Sequence, residues 1–128
     1  MIKGIGHVGI IVKNLEEAVN LYCGLLCLDK PLEFKEWPNE GMKHAMLKVG
    51  TQTLELMEPY PGTSLANFLE NHGEGLHHIN LVVDNMDLTV KSLKAGGATL
   101  IQRSPNATFV HPKSTKGVLL EIREANNL

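Results

Sequence analysis

The sequence has little of what marks nucleic-acid-binding, membrane-spanning or disulfide-linked proteins. Its 12 lysine and arginine residues are outnumbered by 14 aspartate and glutamate residues, so there is no basic excess for a phosphate backbone. No apolar run approaches the ~20 residues that a membrane-spanning helix needs, and the stretch Val8 to Val12 is too short for a signal peptide. The two cysteines, Cys23 and Cys27, form no disulfide framework, and we expect both to be reduced. These absences favour a cytoplasmic protein that binds neither nucleic acid nor membrane.

What the chain does contain is enough apolar residues for one core and an unusual number of histidines. Its 128 residues are 43% hydrophobic and 20% charged, which suits a single compact domain. Histidine is the commonest metal ligand and the usual acid or base near neutral pH. The six histidines are His7, His44, His72, His77, His78 and His111.

The sequence carries an internal repeat. A shift of 71 residues places segment 7–19 on segment 78–90, with histidine, valine and asparagine coinciding at matched positions. A shift of 66 residues places 54–58 on 120–124. Each half therefore opens with a histidine and closes with a glutamate. We predict two copies of one module, at about 3–58 and 76–124, joined by a connector at about 59–75 within a single domain, 1–128.

Each half is predicted to fold as a strand, a helix and three further strands. Segments 7–12 and 78–83 are short and rich in β-branched residues, as strands are. Asn14 and Asn85 follow as helix N-caps, and the helices are predicted to end near Leu26 and Gly96. The other predicted strands are 32–37, 43–49, 51–57, 99–102, 108–110 and 117–123, with a connector helix at 64–71. The predicted fold class is α+β, with two βαβββ modules forming a curled mixed sheet around a metal-binding cleft.

Four polar residues are predicted to lie on the strand faces that point away from the helices. Side chains alternate along a strand, which puts His7 and His78 on this face in the opening strands and Glu55 and Glu121 in the closing strands. A carboxylate inside a sheet is unfavourable unless it is paired. If the helix-free faces curl toward one another, two histidines and two glutamates converge, a donor set that suits Zn, Co, Ni, Mn or Fe(II).

Three stretches of the chain also match the motifs of a known family. They read Gly-Ile-Gly-His-Val-Gly at 4–9, Gly-Glu-Gly-Leu-His-His-Ile at 73–79 and Phe-Val-His-Pro-Lys-Ser-Thr-Lys-Gly-Val-Leu-Leu-Glu-Ile at 109–122. In these stretches the chain resembles the vicinal-oxygen-chelate superfamily of glyoxalases, bleomycin-resistance proteins and dioxygenases, and within it the methylmalonyl-CoA epimerases. The resemblance implies that His7, Glu55, His78 and Glu121 bind one divalent metal ion, whose identity it leaves open.

The resemblance also implies an activity and its substrate class. A metal-dependent epimerase interconverts (R)- and (S)-methylmalonyl-CoA by removing the C2 proton, while the metal stabilises the enolate, and by reprotonating the opposite face. It implies Glu121 as one base. The second base is either His44, at or near a position where some epimerases have glutamate, or Glu55, by analogy with glyoxalase I. The expected partners are a small acyl-CoA or thiol-adduct substrate and a second copy of the chain in a homodimer.

Two alternatives stay open. A glyoxalase I-type lactoylglutathione lyase would use the same four ligands, so the ligands do not separate it from an epimerase. The turn His-Pro-Lys-Ser at 111–114 favours the epimerase, whereas segment 104–108, shorter than the loop of other epimerases, weakens that preference. A non-enzymatic relative that sequesters a small molecule is the third hypothesis, and the full ligand set argues against it.

Overall fold

The computed structural model describes residues 1–31, 33–104 and 106–125, apart from the side chains of Arg103 and Ser104. Within them it has eight strands and three α-helices, so the predicted mixed α+β class is confirmed. Among these residues no helix is both long and apolar enough to cross a bilayer. The elements are β1 Ile2–Ile11, α1 Leu15–Leu26, β2 Lys35–Trp37, β3 Met42–Val49, β4 Gln52–Pro59, α2 Ser64–His72, β5 Gly75–Val83, α3 Met86–Ala95, β6 Leu100–Ser104, β7 Ala107–Val110 and β8 Leu120–Glu124.

The chain divides into two compact units. The first unit is Val8–His77, and the second consists of Met1–His7 together with His78–Leu128. The boundary falls inside β1, which contributes residues 2–7 to the second unit and 8–11 to the first. The opening histidines of both sequence repeats, His7 and His78, therefore belong to the same unit.

In the first unit the strand order is β2, β3, β4, β1, with β1 parallel to β4 and the other pairs antiparallel. The predicted cap of α1 is confirmed, because the Asn14 side chain accepts a hydrogen bond from the backbone N–H of Glu17. Ile10 and Val12 pack in one core cluster with buried residues of α1, as strand alternation predicts.

A helix covers one end of the opposite face of β1. Ile11 is fully buried in a second cluster with Met57 and with Leu65 of the connector helix α2. The expectation of a helix-free face is therefore wrong at the Ile11 end, because the apolar side of α2 covers it. Predicted strand 32–37 is shorter than expected: β2 begins at Lys35, and Leu32 lies outside the described residues.

In the second unit the strand order is β1, β5, β8, β7, β6, with β5 parallel to β8. The Asn85 side chain caps α3 by accepting from the backbone N–H of Leu88. Val83 lies in the core cluster against which Leu81 and side chains of α3 pack, as predicted. Segment 104–108 proves to be mostly strand, since β6 and β7 pair antiparallel with Ser104 opposite Ala107, while Pro105 lies outside the described residues.

The repeat seen in the sequence is present in the strand register of the two units. In the first unit Gly9 of β1 lies opposite Glu55 of the parallel strand β4. In the second, Asn80 of β5 lies opposite Glu121 of the parallel strand β8. These pairs are related by the same offsets of 71 and 66 residues that align the sequence halves. Glu55 and Glu121 are therefore structurally equivalent positions.

The repeat also extends to a helix contact that the sequence did not suggest. Glu58 Oε1 accepts a hydrogen bond of 2.8 Å from the backbone N–H of Leu15, the first residue of α1. Glu124 Oε1 accepts one of 3.1 Å from the backbone N–H of Met86, the first residue of α3. A carboxylate at a helix N-terminus accepts a hydrogen bond from an otherwise unsatisfied N–H group, and its negative charge interacts favourably with the helix dipole. Each closing strand thus fixes the start of its module's helix.

Candidate metal centre

Three of the four predicted ligands meet in the second unit. His7 comes from β1, His78 from β5 and Glu121 from β8. The two Nε2 atoms are 3.1 Å apart. Glu121 Oε1 is 3.3 Å from His7 Nε2 and 3.4 Å from His78 Nε2. All three residues are buried, so the three donor atoms converge away from bulk water.

These separations fit a common metal ion. Nitrogen and carboxylate ligands lie ~2.0–2.2 Å from a metal such as zinc, so two ligands at octahedral or tetrahedral angles are ~3.0–3.4 Å apart. The three measured distances fall in that interval. Two imidazoles and one carboxylate form a mixed nitrogen and oxygen set that suits divalent Zn, Co, Ni, Mn or Fe. The residues therefore fit a divalent cation without rearrangement.

The Glu121 carboxylate receives a hydrogen bond on each oxygen. Asn80 Nδ2 donates to Oε1 at 3.0 Å, and Arg123 Nε donates to Oε2 at 3.0 Å. Burial raises the pKa of Glu121, but hydrogen bonds from His7 and His78 and the charge of Arg123 outweigh it and hold that pKa well below its ordinary value. The carboxylate is thus ionised and fixed in orientation, as a metal ligand must be.

In the first unit, Glu55 and His44 form a buried pair. His44 lies on β3 and Glu55 on β4, and each is 2% exposed, so neither side chain faces solvent. His44 Nδ1 is 2.8 Å from Glu55 Oε2. The indole of Trp37 lies against the imidazole, with ring centroids 3.8 Å apart. The two candidates for the second base are thus in direct contact.

The chemistry of this pair determines which nitrogen of His44 carries the proton. An ionised carboxylate only accepts hydrogen bonds, so Nδ1 must be the N–H donor and a neutral ring keeps its lone pair on Nε2. His44 Nε2 is buried and has no hydrogen-bond partner among the described residues. A buried polar atom without a partner costs about 1–3 kcal/mol, and such exceptions often have a functional reason. The imidazole of His44 can therefore accept a proton at Nε2.

No role was predicted from the sequence for three of these neighbours: Asn80, Arg123 and Trp37. Strand alternation puts Asn80 on the face of His78 and Arg123 on the face of Glu121, and this was the signal that could have identified them. Trp37 gave no such signal, because its contact with His44 depends on how β2 pairs with β3.

Comparisons with known proteins identify the family of the chain. A family model for the Glyoxalase/Bleomycin resistance protein/Dioxygenase superfamily matches residues 6–114. The mitochondrial methylmalonyl-CoA epimerase of Dictyostelium discoideum is 34% identical, over 94% of this chain and 80% of that protein. The human mitochondrial methylmalonyl-CoA epimerase is 31% identical, over 94% of this chain and 73% of that protein.

Solved structures give the same result. A variant of Streptomyces coelicolor methylmalonyl-CoA epimerase in complex with 2-nitronate-propionyl-CoA has a TM-score of 0.87 and 26% identity, over 97% of this chain and 95% of that chain. A methylmalonyl-CoA epimerase in complex with methylmalonyl-CoA and NH4+ has the same TM-score, identity and coverage. The resemblance to methylmalonyl-CoA epimerases that the motifs indicated is confirmed.

Proposed function

Since this chain belongs to the glyoxalase, bleomycin resistance protein and dioxygenase superfamily, we propose that it interconverts the (R) and (S) epimers of methylmalonyl-CoA. The chain is an enzyme of the isomerase class, like the epimerases it is similar to. The observation that carries the choice of reaction is the similarity to methylmalonyl-CoA epimerases over 94% of the chain. The buried donor set of His7, His78 and Glu121, at the mutual distances of ligands to one ion, supports the metal dependence.

The proposed metal site holds one divalent cation through His7, His78, Glu121 and a fourth ligand, Glu55. Glu55 is proposed because it occupies the register position equivalent to Glu121 in the other repeat. Its Oε2 accepts from His44, so Oε1 is the atom proposed to bind the cation. When bound, a divalent cation supplies Lewis-acid stabilisation of the negative charge that develops on the substrate's carbonyl and carboxylate oxygens.

Inversion at C2 needs a group that removes the proton from one face and a group that returns a proton to the other. We propose Glu121 for one of these roles and His44 for the other. His44 Nε2 carries the lone pair that can take the C2 proton, while the electron pair of the C–H bond stays on the substrate. Glu55, which accepts from Nδ1 of His44, orients the ring and stabilises its protonated form.

The test compares two substrates on one preparation. Metal-free protein is loaded with cobalt, nickel or zinc and assayed with methylmalonyl-CoA in deuterated water and with the hemithioacetal of methylglyoxal and glutathione. The proposal predicts that deuterium enters C2 of methylmalonyl-CoA, that both epimers at C2 appear, and that both effects need the added metal. Turnover of the hemithioacetal with no exchange at C2 would refute the epimerase and favour the lactoylglutathione lyase. The homodimer and the cytoplasmic location stay predictions.

A further inference from the structure

The two equivalent glutamates have different neighbours on the adjacent parallel strand. Glu55 lies opposite Gly9, which has no side chain, whereas Glu121 lies opposite Asn80. Both modules fold with the same register, so this strand position does not need a polar side chain for the fold. Strand pairing therefore does not explain the amide of Asn80 in the second unit.

Asn80 is held in an energetically unfavourable environment. Its side chain is fully buried, and its Oδ1 atom has no hydrogen-bond partner among the described residues. Its Nδ2 donates a hydrogen bond of 3.0 Å to Glu121 Oε1. Rotating the amide by half a turn would place Oδ1 against the carboxylate oxygen, so the charge of Glu121 fixes the orientation. A buried carbonyl oxygen without a hydrogen-bond partner destabilises the folded chain.

The neighbouring strand leaves room for this amide. A Cβ atom on Gly6 would lie 2.2 Å from Asn80 Oδ1 and 2.8 Å from Val82 Cγ2. Both distances are shorter than any tolerable contact, so a side chain at position 6 would force Asn80 or Val82 to move. Gly6 is thus the residue that lets Asn80 sit beside Glu121.

We propose that Asn80 is a positioning residue for the metal centre. Asn80 fixes Oε1 of Glu121, and Arg123 fixes Oε2, so the carboxylate cannot rotate and Oε1 stays directed at His7 and His78. A neutral amide can hold Oε1, the oxygen proposed to bind the metal, without placing a positive charge beside the cation. The inference rests on the proposed function only in requiring that the site binds a divalent cation.

The test is cobalt(II) titration of the full, metal-free chain, followed by visible absorption. Asn80→Leu is the main variant, because leucine has a similar shape and removes both the donor and the unpaired oxygen. Loss of the hydrogen bond from Asn80 to Glu121 is expected to weaken cobalt binding by about 10- to 100-fold and to change the absorption band of the bound cobalt. Asn80→Ala is a second variant of different volume, and Val82→Ala is the control on the same strand face.

The outcomes separate this inference from the proposed function. If wild-type protein binds no cobalt, the proposed metal site fails. If wild type binds cobalt and both Asn80 variants match it in affinity and spectrum, the positioning role alone is overturned. If Val82→Ala weakens binding as much as the Asn80 variants do, general loosening of the strand explains the effect and the inference is also overturned. Weaker binding and an altered spectrum confined to the Asn80 variants support it.

Discussion

Replacing Glu121 with glutamine tests both the fold and the chemistry of the metal centre. Both carboxylate oxygens accept a hydrogen bond in the folded chain, one from Asn80 and one from Arg123. Glutamine offers one acceptor oxygen and one NH2 group, so one of the two donors would face another donor. The buried unsatisfied donor is expected to lower the free energy of unfolding of metal-free protein by about 1–3 kcal/mol. Such a loss lowers the Tm of a domain of this size by several degrees.

The same substitution is expected to stop catalysis. It removes a proposed base, and general acid–base catalysis contributes about 10²- to 10⁴-fold to rate. It also removes the charge of a proposed metal ligand. The assay is deuterium incorporation at C2 of methylmalonyl-CoA in deuterated water, beside urea unfolding of the metal-free protein. Glu124→Gln is the matched control, because it makes the same chemical change on the same strand, where Glu124 caps α3. We expect it to retain exchange.

Two results would refute this reasoning separately. Exchange at the wild-type rate in Glu121→Gln would remove Glu121 from proton transfer. An unfolding midpoint equal to that of wild type would mean that the hydrogen bonds from Asn80 and Arg123 do not depend on a second acceptor oxygen. Neither result is expected from a carboxylate that is buried with donors on both oxygens.

The remaining predictions concern acid, the second base, the metal and the helix caps. In metal-free protein the lowered pKa of Glu121 gives stability that is present above the unfolded value of about 4.3 and lost as the pH falls below it, so acid should destabilise wild type more steeply than Glu121→Gln in unfolding titrations. His44→Ala should slow C2 exchange more from one epimer than from the other, and equal effects would remove His44 from the mechanism. Elemental analysis of wild type should find roughly one metal ion per chain, and His7→Ala should abolish it. Glu58→Ala should cost about 1 kcal/mol in urea unfolding through the loss of its contact at the start of α1, and an unchanged midpoint would contradict that role.

Much of the fold followed from local patterns in the sequence. Asn14 and Asn85 begin helices as predicted, because a capping side chain bonds to an amide only three residues away. The strand faces on which the side chains of Ile10 and Val83 lie were also predicted from the sequence, because alternation along a strand is a property of the extended backbone. The covering of Ile11 by α2 did not follow, since where a connector helix packs depends on contacts distant in the chain.

In the candidate site, too, local patterns were predicted and long-range contacts were not. The residue types and the repeat predicted that His7, Glu55, His78 and Glu121 share a metal site. The structure brings His7, His78 and Glu121 together, and the role of all four as metal ligands stays a prediction. Neither residue types nor spacing revealed that Glu121 is held by Asn80 and Arg123 while Glu55 is held by His44. The two glutamates are equivalent in the repeat, and their different surroundings arise from which strands pair beside them.

From the amino-acid order alone came the duplicated module, its helix starts, the face of each strand side chain and the residues proposed to bind a metal ion. All of these depend on neighbours a few residues apart or on the repeat itself. The contact of Trp37 with His44, the pairing of His44 Nδ1 with Glu55 and the hydrogen bond of Asn80 to the Glu121 carboxylate came from the folded chain. They depend on strand pairing and side-chain packing, which join residues that are distant in the sequence and set distances to a fraction of an ångström.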